Sequence, residues 1–206
     1  MKKCIFILAL LTFISCSESP DETYRKYNER GDLKYDDKDY LGAIAEYTKA
    51  IEISPSEAAA YCKRGNAKKK IGKHQEAIDD FSQAISKTYN DKYKSLCYVS
   101  RAISKQDLGD LGGALSDCTE AINLDPKSSL PYNSRGNVKY VLEDFKGAID
   151  DFSKAIEIEP GEAIYRYNRG SARKLLGDTK GTCEDFKLVV DNGDTSVSNF
   201  IRKYCQ

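Results

Sequence analysis

The feature that most constrains this chain of 206 residues is an internal repeat with a period of about 34 residues, typical of stacked helix pairs. Four Ala-Ile or Ala-Leu pairs are spaced 34, 37 and 34 residues apart, and a second alanine follows the alanine of each pair by seven positions. The recurring alanines are Ala43, Ala77, Ala114 and Ala148, followed by Ala50, Ala84, Ala121 and Ala155. Small residues at fixed places let two helix backbones approach closely, so the repeat predicts packed helix pairs.

Apolar residues between the two alanines support a helix in each unit. Ile44, Tyr47 and Ile51 have the alternating three- and four-residue spacing of an apolar stripe on an amphipathic helix. Three units then carry a proline that ends this helix, at Pro55, Pro126 and Pro160. A helix–turn–helix unit of about 34 residues with Gly, Ala, Ala and Pro at these places resembles the tetratricopeptide repeat (TPR) family.

The resemblance implies an all-α fold, a right-handed α-solenoid of five helix–turn–helix repeats with a C-terminal capping helix. We assign units 1 to 5 to residues 24–57, 58–91, 95–128, 129–162 and 163–196, and the capping helix to residues 197–206. Residues 92–94 form a three-residue insertion close to Tyr89, which stands where other units have proline. Unit 5 departs from the pattern at Thr182, Val189 and Asp194, and terminal repeats are commonly atypical.

Residues 1–15 have the pattern of a secretory signal peptide. Two lysines precede an apolar run from Cys4 to Ile14, which is too short to span a bilayer that needs about 20 residues. Ser15-Cys16 resembles the lipobox of bacterial lipoproteins, which implies cleavage before Cys16 and lipidation of its thiol. Several acyl chains anchor a protein stably where one does not. The alternative is an ordinary signal peptide with a chance cysteine.

The segment after Cys16 has no apolar residue up to Thr23, so residues 16–23 are predicted to be a lipidated cysteine and a flexible tether. Ser17 is not the aspartate that favours inner-membrane retention in the lipoprotein family. The resemblance therefore implies anchorage in the cell envelope of a Gram-negative bacterium, with the outer membrane favoured. The choice between its periplasmic and its surface side stays open.

Charged residues recur at fixed places in the repeat. Each unit has an arginine in its first helix and an acid at a constant place in its second helix, as in Arg135 with Asp151 and Arg169 with Asp185. The arginines are Arg30, Arg64, Arg101, Arg135 and Arg169, and the acids are Glu46, Asp80, Asp117, Asp151 and Asp185. With 32 basic and 32 acidic residues, a nucleic-acid or phosphate groove is disfavoured. The pattern predicts structural ion pairs between the two helices.

The sequence offers no catalytic constellation. It has no Walker loop, no dinucleotide-binding glycine pattern and no Cys-x-x-Cys, and its single histidine, His74, stands where other units have packing residues. We therefore predict a protein that is not an enzyme, has no cofactor or metal, and binds no nucleic acid.

The resemblance implies a concave face lined by the first helix of each unit, with its groove at the second, fifth, ninth, twelfth and thirteenth places. Asparagines there could bond a peptide backbone as donor and acceptor, and exposed apolar residues could take side chains. The candidates are Asn28, Asn66, Val99, Ile103, Asn133, Asn137, Tyr140 and Tyr167, together with Asp32, Val141 and Ile164. The family's chaperone-tail clamp needs lysine at the fifth place, which this chain lacks in every unit.

Two cysteines near the C-terminus are predicted to form a disulfide. Asn192-Gly193-Asp194 is a turn signal between Cys183 and Cys205, and a short hairpin can bring their Cβ atoms to about 4 Å. An exported protein meets an oxidising compartment, where a bridge persists. The alternative is two unpaired thiols.

These patterns leave two function classes. The first is a membrane-anchored adaptor that binds a peptide segment or partner protein in its groove. The second is a structural accessory subunit of an envelope complex that contacts partners through its convex face or cap. The partner's identity and the oligomeric state stay open.

Overall fold

The computed structural model describes residues 19–191, 193 and 195–205, and within them the secondary structure is α-helical, with eleven helices and no strand. The helices are α1 Pro20–Asp36, α2 Tyr40–Ile53, α3 Ala58–Lys70, α4 His74–Lys87, α5 Asp91–Asp107, α6 Leu111–Leu124, α7 Ser129–Val141, α8 Phe145–Ile158, α9 Ala163–Leu175, α10 Thr179–Asp191 and α11 Ser198–Tyr204. The prediction of an all-α solenoid is confirmed.

The helices stack in chain order as five antiparallel pairs. Each helix packs against the next one along the chain, and α3, α5, α7 and α9 also contact one another in succession. We call the odd-numbered helices the inner layer and α2, α4, α6, α8 and α10 the outer layer. Residues of neighbouring units, although far apart in sequence, therefore contact one another on the inner layer.

The turn inside each unit has the same backbone conformation. The fifteenth residue of every unit takes a positive φ, between 62° and 83°. Glycine occupies this place in three units, since it has no Cβ to clash there, and the five residues are Lys38, Gly72, Gly109, Glu143 and Gly177. An aspartate then caps the outer helix in most units, as Asp144 does by accepting from Gly147 N at 3.0 Å.

Close helix packing explains the recurring small residues. A Cβ on Gly136 would lie 2.6 Å from the Phe152 ring, so the ring occupies the space that a side chain would need. Unit 3 packs its two helices with a different residue pair, since Ala102 replaces the glycine and Cys118 replaces the aromatic residue. Both are buried in one cluster, so the added methyl group is matched by the loss of the ring.

The predicted ion pairs lie between the two helices of a unit. The Arg135 guanidinium donates to both oxygens of Asp151, at 2.9 and 2.7 Å, and Lys139 lies 2.8 Å from the same carboxylate. Arg169 and Asp185 repeat this fork at 3.0 and 2.6 Å. The bond to Asp151 raises the pKa of Arg135 despite partial burial. This geometry clamps the helix pairs of units 2 to 5 with charge-assisted bonds.

Unit 1 departs from that pattern. Glu46 is contacted by Lys34 at 3.4 Å and by Lys49 at 3.2 Å, while Arg30 is exposed. The prediction that Arg30 shares the role of the other arginines is therefore wrong. Arg64, the equivalent residue of unit 2, also donates to Thr48 of unit 1. No repeat unit precedes unit 1 among the described residues, so Arg30 has no equivalent of Thr48 to bond.

Two helices begin earlier than their units do. Helix α1 starts at Pro20, with Ser19 and Glu22 forming a capping box, so a tether reaching residue 23 is wrong for Pro20–Thr23. Helix α5 starts at Asp91 and includes the insertion at residues 92–94 as one extra turn, capped by Asn90. Both helices have 17 residues, against 13 for α3, α7 and α9.

The C-terminal end is covered by α11. Phe200 and Ile201 pack on the buried cluster of Phe186, Val189 and Val197. Cys183 and Cys205 form a disulfide with a Cα–Cα distance of 5.5 Å, as the sequence predicts. Of the turn between them, Asn192 and Asp194 lie outside the described residues, as do residues 1–18 with the lipidation candidate Cys16. Among the described helices, none combines the length and apolarity needed to cross a bilayer.

Candidate functional site

Three asparagines meet on the inner layer between units 4 and 5. The Asn168 side-chain nitrogen donates to Asn133 Oδ1 at 2.9 Å and lies 3.3 Å from Asn137 Oδ1. Asn133 and Asn137 are one turn apart on α7, and Asn168 comes from α9. Stacking of the two inner helices therefore places three carboxamides side by side.

A cavity of about 220 Å³ opens beside these amides. Its walls are Asn137, Asn168 and Ser171, with Tyr140 and Tyr167 as aromatic sides and Phe152 from the outer layer. We call this space the amide cavity. The Tyr167 ring stacks on Phe186, with 5.9 Å between centroids, and Tyr140 makes an edge contact with Phe145 at 5.5 Å. The aromatic walls are therefore held by packing.

A second cavity of about 350 Å³ continues from the first toward the cap. The two cavities share Tyr140, Tyr167 and Ser171, and the second adds Lys174 and Phe200, among others. Lys174 lies over the Phe200 ring, with Nζ 5.2 Å from its centroid, which places one cation at this end. The two spaces form a trough with polar and aromatic walls.

Apolar side chains at the groove places of units 3 to 5 are also exposed. Tyr167 is 37% exposed and Ile164 is 49% exposed. Others at the groove places implied by the repeat are Leu96, Ile103, Leu130, Val141 and Leu175. We call this set, with Ile164 and Tyr167, the apolar strip. Large exposed apolar areas are typical of partner-binding surfaces, so the apolar strip is a candidate contact surface.

The structure brings together only part of the predicted groove. Asn137, Tyr140 and Tyr167 line the amide cavity and Asn133 bonds to its wall. Asn28 and Asn66 are partly buried on α1 and α3, in the first two units. Ile103, in unit 3, belongs to the apolar strip.

Val99 corrects one expectation. It is only 2% exposed and lines a separate cavity of about 200 Å³ with Leu130 and Pro131 of α7. The prediction of an exposed Val99 is wrong, because the next unit covers it. If unit 4 had smaller residues in place of Leu130 and Pro131, Val99 would be exposed.

Several residues of the trough lie outside the predicted groove set. Asn168 holds the sixth place of its unit, which is outside the family's groove places. Ser171 and Lys174 stand at the ninth and twelfth places of unit 5, where the spacing could have found them. Phe200 comes from α11, and the repeat carries no signal for it.

At the equivalent junction between units 1 and 2, an ion pair takes the place of the amides. Lys63 lies at the sixth place of unit 2 and its Nζ is 2.7 Å from Asp32, the ninth residue of unit 1. The Tyr47 hydroxyl donates to the other Asp32 oxygen at 2.8 Å, and burial together with this bond raises the pKa of Tyr47. Asp32, a predicted groove residue, is therefore engaged within the protein.

Comparison with known proteins places this fold. The family model described as TPR repeat matches residues 31–72. The chain is 34% identical over 116 residues to tetratricopeptide repeat protein 16 of Macaca fascicularis, covering 52% of this chain but only 13% of that protein. The chain thus matches about an eighth of that relative's length.

Solved structures match over a longer range. The crystal structure of MamA superposes with a TM-score of 0.68 at 22% identity, covering 86% of this chain and 96% of MamA. YrrB, described as a TPR protein with an unusual peptide-binding site, gives 0.66 at 20% identity, covering 90% and 98%. The chain therefore contains a TPR match at residues 31–72 and has the fold of TPR solenoids.

Proposed function

We propose that this chain is a membrane-anchored scaffold that binds an extended peptide segment of a partner protein along the inner layer of units 3 to 5. The observation that carries the proposal is the amide cavity, where the carboxamides of Asn137 and Asn168 and two tyrosines line a space on the layer that carries the apolar strip. TPR proteins of known structure include one described as peptide-binding, which supports a binding role.

The amides suit an extended backbone. Asn137 and Asn168 line the cavity, and each carries two N–H donors and one carbonyl acceptor, so the two have more hydrogen-bonding capacity than their bonds to each other and to the buried Asn133 use. A peptide in extended conformation presents N–H and C=O groups that must be paired when it loses water. The apolar strip then accepts alternate side chains, which gives selectivity to a contact whose backbone part is sequence-independent.

Anchorage at Cys16 completes the proposal. The short apolar run and Ser15-Cys16 support lipidation in the envelope of a Gram-negative bacterium, with the outer membrane favoured. Helix α1 begins at Pro20, only four residues after Cys16, which would hold unit 1 close to the lipid surface. Units 4 and 5 are the units farthest along the chain from that anchor.

A site-specific photocrosslink tests which layer binds the partner. A photoreactive residue in place of Ile164, on the inner α9, should crosslink a partner in native membranes. The matched control replaces Leu188, on the outer α10, because the two leucine-sized side chains are 49% and 46% exposed. Crosslinking at position 188 and not at 164 would contradict groove binding.

That contrary result would favour a second function, a structural accessory subunit that contacts its complex through the outer layer or cap. Exposed Leu41 on α2 and Leu188 on α10 are the observations that favour it. Both are apolar and on outer helices. The photocrosslink at the two positions separates the functions directly.

The anchor has its own test. Cys16→Ala should move the protein from the membrane fraction to the soluble one, and it should abolish incorporation of labelled palmitate. A variant that still sediments with membranes, together with a wild-type protein that takes up no label, would contradict lipidation. Neither result bears on the groove, so the two parts of the proposal can fail separately.

A further inference from the structure

Two buried thiols face each other at the junction between units 2 and 3. The Cys97 thiol of α5 lies against the Cys62 sulfur of α3, with the Sγ atoms 3.2 Å apart. Both cysteines are buried in one apolar cluster with Phe81, and α3 and α5 are in direct contact. The remaining described thiol, Cys118, lies in a different cluster.

The pair occupies a place that recurs in the repeat. Cys62 is the fifth residue of unit 2 and Cys97 is the third residue of unit 3. The same two places hold Asn28 with Ala60, Val99 with Pro131 and Asn133 with Tyr165 at the other junctions. Repeat packing brings these places together for structural reasons, but only at the junction of units 2 and 3 are both filled by sulfur.

We propose that Cys62 and Cys97 are a covalent modification site, a thiol pair that a disulfide-bearing oxidant converts into a second intrachain disulfide. The bond would join α3 of unit 2 to α5 of unit 3. A disulfide needs an S–S distance of about 2.05 Å, so the sulfurs must approach by about 1 Å. Rotation about the two Cα–Cβ bonds is the motion that would bring the sulfur atoms together.

The reaction is an ordinary thiol–disulfide exchange. The Cys62 thiolate attacks one sulfur of the oxidant's disulfide, and the other sulfur leaves as a thiolate. Cys97 then loses its proton and attacks the Cys62 sulfur of this mixed disulfide, which releases the oxidant's second thiol. Two protons and two electrons pass from the pair to the oxidant, whose disulfide is reduced to two thiols.

The surroundings assign the two roles. The hydrogen bond from Cys97 lowers the pKa of Cys62 against the effect of burial, and a further hydrogen bond from the Tyr93 hydroxyl acts in the same direction. The pKa of Cys97 is raised, because it keeps the proton of that bond and is buried. Cys62 is also the sulfur that Tyr93 contacts, and Tyr93 lines the neighbouring cavity, so we assign Cys62 as the attacking sulfur and Cys97 as the resolving one.

Tyr93 is one of the partly buried side chains that pack against the cluster containing the thiol pair. It contacts Cys62 and also lines an open cavity of about 480 Å³ with Ala58, Tyr89 and Asn90. Tyr93 belongs to the extra first turn that residues 92–94 add to α5. Displacement of this turn would open a path from the cavity to Cys62. The insertion therefore supplies both the cover of the thiol pair and the route to it.

The bond would stiffen a particular boundary. Units 1 and 2 close their inner junction with an ion pair, whereas units 3 to 5 carry the apolar strip. A disulfide between α3 and α5 joins the two regions across a sequence separation of 35 residues. Oxidation would fix the angle between them.

Peptide mapping of the full-length chain tests the proposal. The protein is refolded in excess oxidised glutathione, its remaining thiols are alkylated in denaturant, and it is digested with trypsin. The linked peptides 50–63 and 95–101 should appear, and their alkylated forms should fall about tenfold against a sample refolded in reduced glutathione. Alkylation of Cys118, in peptide 106–127, should not change.

Variants of the folded protein test the roles. With Cys97→Ser, a glutathione adduct should accumulate on Cys62, since nothing resolves it, whereas Cys62→Ser should leave Cys97 unmodified. Tyr93→Ala should form the link faster than the wild type. Full alkylation of both cysteines after refolding in oxidant would overturn the proposal, and so would a link from either one to Cys118. Because the peptide mapping uses the wild-type chain, it still tests the proposal if a variant fails to fold.

Discussion

The junction between units 1 and 2 and the junction between units 4 and 5 use the same two repeat places for different chemistry. At the first, the ninth and sixth residues are Asp32 and Lys63, 2.7 Å apart. At the second, they are Asn137 and Asn168, 3.3 Å apart. The backbone offset is 31 residues in both. One helix-stacking geometry therefore produces an ion pair in one place and an amide pair in the other.

The outer-layer aromatic residue next to each pair also differs between the two junctions. Tyr47 donates its hydroxyl to Asp32, whereas Phe152, at the equivalent place in unit 4, has no hydroxyl and lines the amide cavity. The ion pair is satisfied from both sides by the protein's own groups. The amides retain donors and acceptors next to an open space. A change of three side chains thus gives an ion pair at one junction and amides beside a cavity at the other.

The largest expected effect concerns the buried acids that clamp the helix pairs. Asp185 is 1% exposed and is bonded by Arg169 and Arg173, so Asp185→Ala should lower the free energy of unfolding by about 3–5 kcal/mol. Glu46→Ala in unit 1 should cost less, because its lysine partners are 41% and 49% exposed. Urea denaturation of both variants measures the difference, and equal losses would contradict a stronger clamp in unit 5.

The next largest loss of stability is expected when the Arg135–Asp151 ion pair is broken. Arg135→Ala should lower the free energy of unfolding by about 1–3 kcal/mol, since Asp151 loses a two-pronged partner but keeps Lys139. Arg30→Ala is the matched control, because Arg30 has the same repeat place but is exposed. Thermal melts should show a lower Tm for the first variant and an unchanged Tm for the second. A stable Arg135→Ala protein that loses its partner would instead make this arginine part of the binding site.

The two junctions themselves should differ in salt dependence. Lys63→Met should cost less than about 1 kcal/mol, and the loss should shrink in high salt, because both partners are one third or more exposed. Asn168→Ala removes neutral bonds and should cost about 1 kcal/mol at any salt concentration. Denaturation at low and high salt checks both values. A salt-dependent loss for Asn168→Ala would show that the amide description of this junction is wrong.

The repeat and its clamps could be predicted because each depends on residues at fixed offsets along the chain. The pairing of Arg135 with Asp151 follows from a constant spacing of 16 residues. The early start of α1 could also have been found, since Ser19 and Glu22 have the spacing of a capping box. These features are local, and the sequence displays them directly.

The contents of the candidate site were less predictable because they depend on the neighbouring unit. Val99 occupies a groove place, yet Leu130 and Pro131 of the next unit cover it. Asn168 lies outside the groove places and reaches Asn133 only through stacking of α9 on α7. Whether a place in a repeat is open is decided by contacts between units, which a pattern within one unit does not encode.

The most direct test exchanges the two junctions. Peptides selected from a random display library on the full-length protein serve as the probe, and fluorescence anisotropy measures their Kd. Asn137→Asp with Asn168→Lys, which installs the closed chemistry at the amide cavity, should weaken binding at least about tenfold, equivalent to about 1.4 kcal/mol. Asp32→Asn with Lys63→Asn should leave Kd unchanged. Unchanged binding in the first double variant, at an unchanged Tm, would contradict a peptide site at the amide cavity.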